Sequence, residues 1–367
     1  MKIALNFLSA QIGGGVSFAR ELTAGLLTED RENEYLVFVP AQLQIEITGA
    51  VTSSRNLTVV GFRSPNILVR LFREQLQLPF LIRRNRVDVL LSPANLASFF
   101  APCRQVLWIQ NIDPFHYFRN EGRVRQTRNR LLFWLGKLSI KIAARVVFSS
   151  AHSRALVERR LGKPLKKAVT INLGVAAEYF ASAKPAPDAR PGYILSVSNI
   201  SKRKNYELLL QAYALLSPAL QAAHRLVLVG RVAPGYQAEL LSRHKAASAK
   251  VVFTGEQKGR ALIDYYRQGG IFILPSLVES FGLTVVEAMA SGLPVLAADA
   301  TCLPEIVGEA GLLFDPHDPA DLAGKITRVL TDEKLQKELI ARGKERAGQF
   351  RWSQTARRLL AVFKELS

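Results

Sequence analysis

Short apolar runs alternate with helix-period stretches along the whole chain, and the pattern breaks once, at a proline-rich segment, before it restarts. Few architectures admit such a pattern. Each apolar run reads as a strand covered on both faces, and each helical stretch as the crossover to the next parallel strand. Before the break the strand candidates are Lys2–Leu8, Tyr35–Pro40, Leu57–Gly61, Val87–Leu91, Gln105–Gln110, Arg145–Ser149 and Ala168–Asn172. Helices are expected near 16–28, 66–84, 122–143 and 151–161. The break runs from Ala181 to Gly192, with Pro185, Pro187 and Pro191 among small residues, the composition of a linker. Strand candidates resume at Tyr193–Val197, Arg225–Val229, Val251–Phe253, Ile271–Leu274, Pro294–Ala297 and Gly311–Phe314, and helical stretches near 333–348 and 353–366 close the chain.

The expected organisation is therefore an α/β protein of two parallel-sheet domains. The first spans 1–180, a linker spans 181–192, the second spans 193–350, and a helix in 351–367 returns to the first domain. Two such domains joined by a hinge place a ligand in the cleft between them, at the carboxyl ends of the strands.

Charge limits what that ligand is. Of 367 residues, 49 are Lys or Arg and 30 are Asp or Glu, a formal net charge of +19. The excess implies an anionic partner: a nucleic acid, a membrane surface or a phosphorylated small molecule. It is concentrated between Arg119 and Lys167, where 14 basic residues meet only Glu121 and Glu158, a net charge of +12. Within it Leu131, Leu132, Phe133, Leu135, Leu138 and Ile142 interleave with Arg123, Arg125, Arg128, Arg130, Lys137 and Lys141. That pattern fits a membrane-surface helix and equally a core-facing helix with a solvated basic face. No run of about 18 uncharged apolar residues is present, so no transmembrane helix is expected. The start, Met1 to Leu8, is faintly like a signal peptide but too short and runs into a glycine loop, so it reads as the first buried strand. Two distant cysteines, Cys103 and Cys302, build neither a disulfide framework nor a zinc site, and fit a reducing compartment.

Three segments carry chemistry. Gly13-Gly14-Gly15 follows the first strand and opens a helix, where backbone N–H groups can approach an anion. Ser198 to Asn205 ends the first strand of the second domain, and its consecutive Lys202, Arg203 and Lys204 repel one another unless a diphosphate sits among them. Pro275 to Glu287 lies between a strand end and a helix: Glu279 in the loop and Glu287 in the helix flank the N–H groups of Ser280, Phe281, Gly282 and Leu283. Such an arrangement offers donors to phosphate oxygens and carboxylates to sugar hydroxyls. Trp108 and Trp134 could serve as sugar platforms, although packing accounts for them as well. His152 and His224 read as structural.

The combination of Lys202-Arg203-Lys204-Asn205, Pro275-Ser276, Glu279 and Glu287 eight apart, Glu287-Ala288-Met289-Ala290 with Gly292 and Pro294, and Leu303-Pro304-Glu305-Ile306-Val307-Gly308 closely resembles glycosyltransferase family 4. Those are retaining enzymes of the GT-B fold, two Rossmann-like domains facing a central cleft. The likeness extends more weakly through Gly13–Gly15, Arg73 to Pro93 with Glu74-Gln75 and Leu78-Pro79, and Asn172-Leu173-Gly174-Val175. The resemblance implies roles. Lys204, with Arg203, neutralises the donor diphosphate; Glu279 touches donor-sugar hydroxyls; Glu287 binds the ribose. Gly14, Gly15, Ser198, Asn199 and the N–H groups of residues 280–283 complete the donor site. It further implies no metal and no cofactor, a nucleotide-diphosphate sugar as substrate, a saccharide or lipid-linked acceptor, and no nucleic acid. The Arg203-Lys204-Asn205 variant is similar to transferases of bacterial surface polysaccharide and lipopolysaccharide, which implies a GDP-mannose-like donor.

This sequence departs from the family at two places. An Arg frequent five or six residues before the matching Lys is replaced by Ser198 and Asn199, leaving Arg203 or Lys202 to supply that charge. A His frequent after the fifth strand is replaced by Gln110-Asn111, leaving Asp113 and His116 as acceptor-side candidates. Two alternatives stand beside the transferase. A nucleic-acid-binding protein would use the basic surface but lacks a recognised module, and a sugar-nucleotide epimerase would share the architecture but not the motifs. With the basic segment in the acceptor-side domain, the enzyme is expected in the cytoplasm, docked on the inner face of the plasma membrane.

Overall fold

Runs dense in Val, Ile and Leu become buried parallel strands because both of their faces are covered by helices. The computed structural model describes residues 1–11, 13–50, 56–116, 123–180, 192–244 and 250–366. It divides into two units, Met1–Gly174 with Trp352–Ser367, and Val175–Arg351. The linker expected over 181–192 lies, apart from Gly192, outside the described residues.

In the first unit seven parallel strands, β1 (Lys2–Asn6), β2 (Glu34–Pro40), β3 (Leu57–Phe62), β4 (Val89–Ser92), β5 (Arg104–Ile109), β6 (Arg145–Phe148) and β7 (Ala168–Thr170), lie in the order β3-β2-β1-β4-β5-β6-β7. Beneath them a core of Phe18, Leu22 and Leu26 from the helix Gly14–Glu29 meets Trp352, Leu359 and Phe363 from the helix Trp352–Lys364. The Phe18 ring stands edge-on to both Trp108 and Trp352, at 5.1 and 5.8 Å. Trp108 is a core residue whose indole N–H donates to Ser149 Oγ at 3.0 Å.

The second unit holds β8 (Tyr193–Val197), β9 (Leu226–Val229), β10 (Val251–Phe253), β11 (Gly269–Leu274), β12 (Val295–Ala298) and β13 (Leu312–Phe314), in the order β10-β9-β8-β11-β12-β13. The first unit ends at Gly174, short of the boundary expected at 180. Val175–Phe180 pack within the second unit instead. The Val175 N–H donates to Phe350 O at 3.0 Å, the Arg351 guanidinium covers the Phe180 ring at 3.4 Å, and the Tyr179 ring meets Tyr266 edge-on at 5.5 Å.

One helix differs from the periodic expectation. The stretch near 66–84 is α-helical over Ile67–Phe72, widens to a π-turn over Arg73–Gln77, and resumes over Leu78–Arg84. Glu74 is buried in this turn, with Arg70 Nε 3.7 Å from its Oε1. Burial lifts its carboxyl to about 7 against the partial opposition of Arg70. A carboxyl raised in the folded state stabilises fully below its unfolded value of 4.5, and that contribution is lost as pH rises to about 7. The first unit is therefore expected to lose on the order of 3 kcal/mol across that window. Glu74→Gln should flatten the drop, as read by urea denaturation of both proteins at pH 5 and pH 8. An equal slope in the variant would refute the assignment.

Candidate active site

In the second unit the expected donor residues gather at the carboxyl ends of β8 and β11. After β8 the chain turns through Ser198 and Asn199 into a short 3-10 turn, Lys202–Lys204, and then the helix Tyr206–Ala214. Asn205 joins the two in the left-handed region, φ 55°, with its side-chain amide donating to Pro316 O at 2.9 Å. The buried Tyr206 hydroxyl pairs with Ser198 Oγ at 2.8 Å, which fixes the mouth of the turn.

The three consecutive cations go different ways. Lys202 points outward and pairs with Glu239 at 2.8 Å, so it is engaged on the surface rather than offered to a ligand. The Arg203 carbonyl accepts from the Leu277 N–H at 3.2 Å, tying the turn to the loop after β11, and its side chain is half-buried. Lys204 Nζ lies 2.5 Å from Glu279 Oε1. Two residues 75 apart in sequence, chosen from different motifs, thus form one half-buried ion pair.

Glu279 is held by its backbone as well as its carboxylate. Its N–H donates to Thr301 Oγ1 at 3.1 Å, and its carbonyl accepts from Cys302 Sγ at 3.3 Å. Neither Thr301 nor Cys302 was expected at this site; their signal was adjacency to Leu303-Pro304-Glu305. Downstream, Phe281 is buried against Phe350, 5.6 Å between rings. Gly282 then starts the helix Leu283–Ala290 at φ 84°, where a Cβ would also fall 2.7 Å from Leu303 Cδ2. Only glycine meets both demands. The first N–H groups of that helix have no intrahelical acceptor and carry the positive end of its dipole. Ser280 is half-buried at this entry.

Glu287 lies in the helix Leu283–Ala290. It is buried, and the Tyr266 hydroxyl donates to its Oε2 at 2.8 Å. Burial raises its carboxyl to about 7, and hydrogen bonds from Tyr266 and Tyr179 limit that rise. Neither tyrosine was legible as a partner, because both reach Glu287 through tertiary packing.

In the first unit the expected residues follow the carboxyl ends of β1 and β5. Gly13 adopts φ 61° ahead of the helix Gly14–Glu29, and a Cβ on Gly14 would meet nothing within 4 Å, so the loop stands open. Beyond β5, Asn95 organises the acceptor-side segment: its Oδ1 accepts from the N–H groups of Gln110 and Asn111 at 3.1 and 3.2 Å, and its amide donates to Asn111 O. Gln110 Nε2 is buried without a hydrogen-bond partner. The Asp113 N–H donates to Asn111 Oδ1 at 2.9 Å. Burial lowers the His116 imidazole below its usual value despite the nearby Asp113, which favours the neutral ring. Among the described residues no three His, Cys, Asp or Glu side chains come together as a metal site.

Residues 179–346 match the family of glycosyl transferases group 1. The match spans nearly the whole of the second unit. The chain is 34% identical over 194 residues to the serotype-specific mannosyltransferase WbdA of Escherichia coli, covering 52% of this chain and 24% of that protein. It is 30% identical over 239 residues to the O-antigen chain mannosyltransferase B of Escherichia coli, covering 62% of each. The chain thus spans less than two thirds of either relative's length. The solved structure of sucrose-phosphate synthase from Thermosynechococcus elongatus superposes with a TM-score of 0.79 at 20% identity, covering 100% of this chain and 98% of that one. That likeness shows the GT-B fold, two parallel-sheet α/β units, in agreement with the family 4 resemblance of the sequence.

Proposed function

We propose that this chain is a retaining glycosyltransferase that moves a hexose from a nucleotide-diphosphate donor to a saccharide or lipid-linked saccharide in the synthesis of bacterial surface polysaccharide. One observation carries the assignment: Lys204 and Glu279, a cation for phosphate and a carboxylate for hydroxyls, meet at 2.5 Å at the carboxyl ends of β8 and β11. In the absence of donor each neutralises the other. A nucleotide sugar replaces that pairing with two better-matched ones, diphosphate on Lys204 and sugar hydroxyls on Glu279. Arg203 and the N–H groups at the Leu283–Ala290 helix entry add to the charge held on the leaving group. Cationic side chains then stabilise the departing diphosphate, work that a divalent ion does elsewhere, so transfer is metal-independent. Glu287, braced by Tyr266 and Tyr179, receives the ribose.

Retention follows if the acceptor hydroxyl attacks from the face that the diphosphate leaves, its proton passing to the departing phosphate oxygen. Within the first unit, Gly14 and Gly15 are the candidates for phosphate contact. Gln110, Asn111, Asp113 and the neutral His116 hydrogen-bond the acceptor. The mannosyltransferase names of two relatives favour GDP-mannose as donor.

The enzyme works in the cytoplasm, docked at the inner face of the plasma membrane. Among the described residues no helix is long and apolar enough to cross a membrane. The helix Arg123–Ile142 instead presents Leu131, Trp134, Leu138 and Ile142 to solvent, 59%, 61%, 45% and 40% exposed. Their spacing draws one stripe, while Ile140 and Phe133 on the opposite side pack into the core. The helix therefore has two apolar faces, and the outward one is flanked by cations. Arg119 and residues to 122 of the basic segment lie outside the described residues.

A thermal-shift and transfer panel of GDP, UDP, ADP and dTDP sugars, with and without EDTA, tests the assignment. GDP-mannose is expected to shift melting most, and EDTA to leave the rate unchanged. A flat response to every nucleotide sugar would overturn the transferase assignment, and preference for another nucleotide would overturn the mannosyl part alone.

A further inference from the structure

A cavity of about 350 Å³ opens beside the outward stripe of the Arg123–Ile142 helix. Its apolar lining is Trp134, Leu138, Ile140, Leu161 and Leu165. Lys137, Lys141, Lys163 and Lys167 also line it, and no lining residue is acidic. Lys137 Nζ caps the Trp134 ring at 4.7 Å. Lys167 is spent on structure, donating to Lys141 O and Ala143 O at 2.9 and 2.5 Å, where it closes the end of the helix. Burial, and to a smaller extent the neighbouring Lys163, hold its ammonium below the usual value. The nearby carboxylate, Glu158, is occupied by Arg154 and by the Leu165 N–H.

Position separates this cavity from the candidate active site. Leu165 and Lys167 lead into β7, and the helix containing Trp134 and Leu138 leads into β6, so the cavity sits by the amino ends of these strands. Gly13–Gly15 and Gln110–His116 follow carboxyl ends, at the opposite edge of the sheet.

We propose that this cavity binds one molecule of anionic phospholipid, an acyl chain between Trp134, Leu138, Leu161 and Leu165 and the phosphate among Lys137, Lys141 and Lys163. The volume lies within the range of about 300–1,000 Å³ usual for small-molecule sites. An apolar interior alone would suit many partners; ringing it with ammonium groups selects an amphiphile with a phosphate head. Lysine suits that head as a point charge, and an exposed Trp beside it suits the water–hydrocarbon boundary. The inference deepens the membrane docking proposed above, turning a diffuse basic surface into a stoichiometric site that holds one lipid apart from the acceptor.

Calorimetric titration of the full chain with dihexanoyl phosphatidylglycerol, kept below its micelle concentration, tests the proposal. Saturable one-to-one binding is expected, with loss of the tryptophan fluorescence change in Trp134→Phe. Affinity should fall about tenfold or more in K141E/K163E, and about tenfold for dihexanoyl phosphatidylcholine, since each lysine near a lipid phosphate contributes about 1 kcal/mol. Unchanged melting and nucleotide-sugar binding of the variant, and of the milder K141A/K163A, show that the fold is intact. Glycerol phosphate binding as tightly as the lipid, or equal affinity in the double variants, would overturn the site. Co-sedimentation with anionic and neutral vesicles separates the two claims. Anionic vesicle binding without monomer binding removes the cavity and leaves the docking. Monomer binding without any preference for anionic vesicles removes the docking and leaves the cavity.

Discussion

Lys204→Ala is expected to lower kcat for sugar transfer by about 10²–10³-fold, the usual cost of removing one preorganised group from a developing anion. The loss should fall on kcat at saturating donor, because the charge on the leaving diphosphate grows as the glycosidic bond breaks. The Lys204 ammonium is positioned by a turn locked on three sides: Asn205 to Pro316 O, Tyr206 to Ser198, and the Arg203 carbonyl to Leu277. Because that scaffold does not involve the Lys204 side chain, the variant should fold normally. Lys204→Arg should recover only part of the rate, since a planar guanidinium does not occupy the place of a compact ammonium. Single-turnover kinetics with circular dichroism of each variant decide the matter, and an unchanged kcat in the alanine variant would remove Lys204 from the mechanism.

Gly230→Ala is expected to destabilise the second unit by about 2–6 kcal/mol, combining backbone strain with overpacking. Gly230 follows β9 at φ 146°, and a Cβ there would lie 1.9 Å from Ser198 O and 2.7 Å from Ser198 C. The obstacle is backbone, so no rotamer change relieves it. Pushing the Ser198 carbonyl aside also strains the bond from the Ser198 N–H to Val229 O, 3.1 Å, which closes the β8–β9 ladder. The Lys202–Lys204 turn hangs from that ladder, so nucleotide-sugar affinity should fall together with stability. Urea denaturation and donor titration of the variant check both, and wild-type stability would show that the β8–β9 junction is softer than its geometry implies.

The strands were legible because parallel strands buried on both faces advertise themselves as continuous apolar runs, and all thirteen candidates have counterparts within a few residues. Glu279 and Lys204 were legible as members of motifs, although their mutual pairing was not. Partnerships across long sequence separations left no local trace. Lys202 looked equivalent to Lys204 until the fold brought it to Glu239, 37 residues away. Glu287 looked like an open carboxylate until Tyr266 and Tyr179 closed over it. Trp134 illustrates a different limit. Its helix contains apolar residues on two faces, and periodicity alone does not tell which face the core takes. The π-turn at Arg73–Gln77 also escaped, since one extra residue in a helix barely disturbs the apolar spacing.

The first unit is assembled from two separate stretches of chain, with residues 175–351 threaded between them. On a ribosome this imposes a schedule. When Gly174 emerges, the sheet of the first unit is complete, but the core beneath it still lacks Trp352, Leu359 and Phe363. At ordinary synthesis rates the intervening residues take about 10–35 s to translate. During that wait the second unit, encoded without interruption, can finish while the first holds an open apolar groove along Phe18, Leu22 and Leu26. A nascent chain built this way exposes its older half longest, so chaperone demand should centre on the segment translated first.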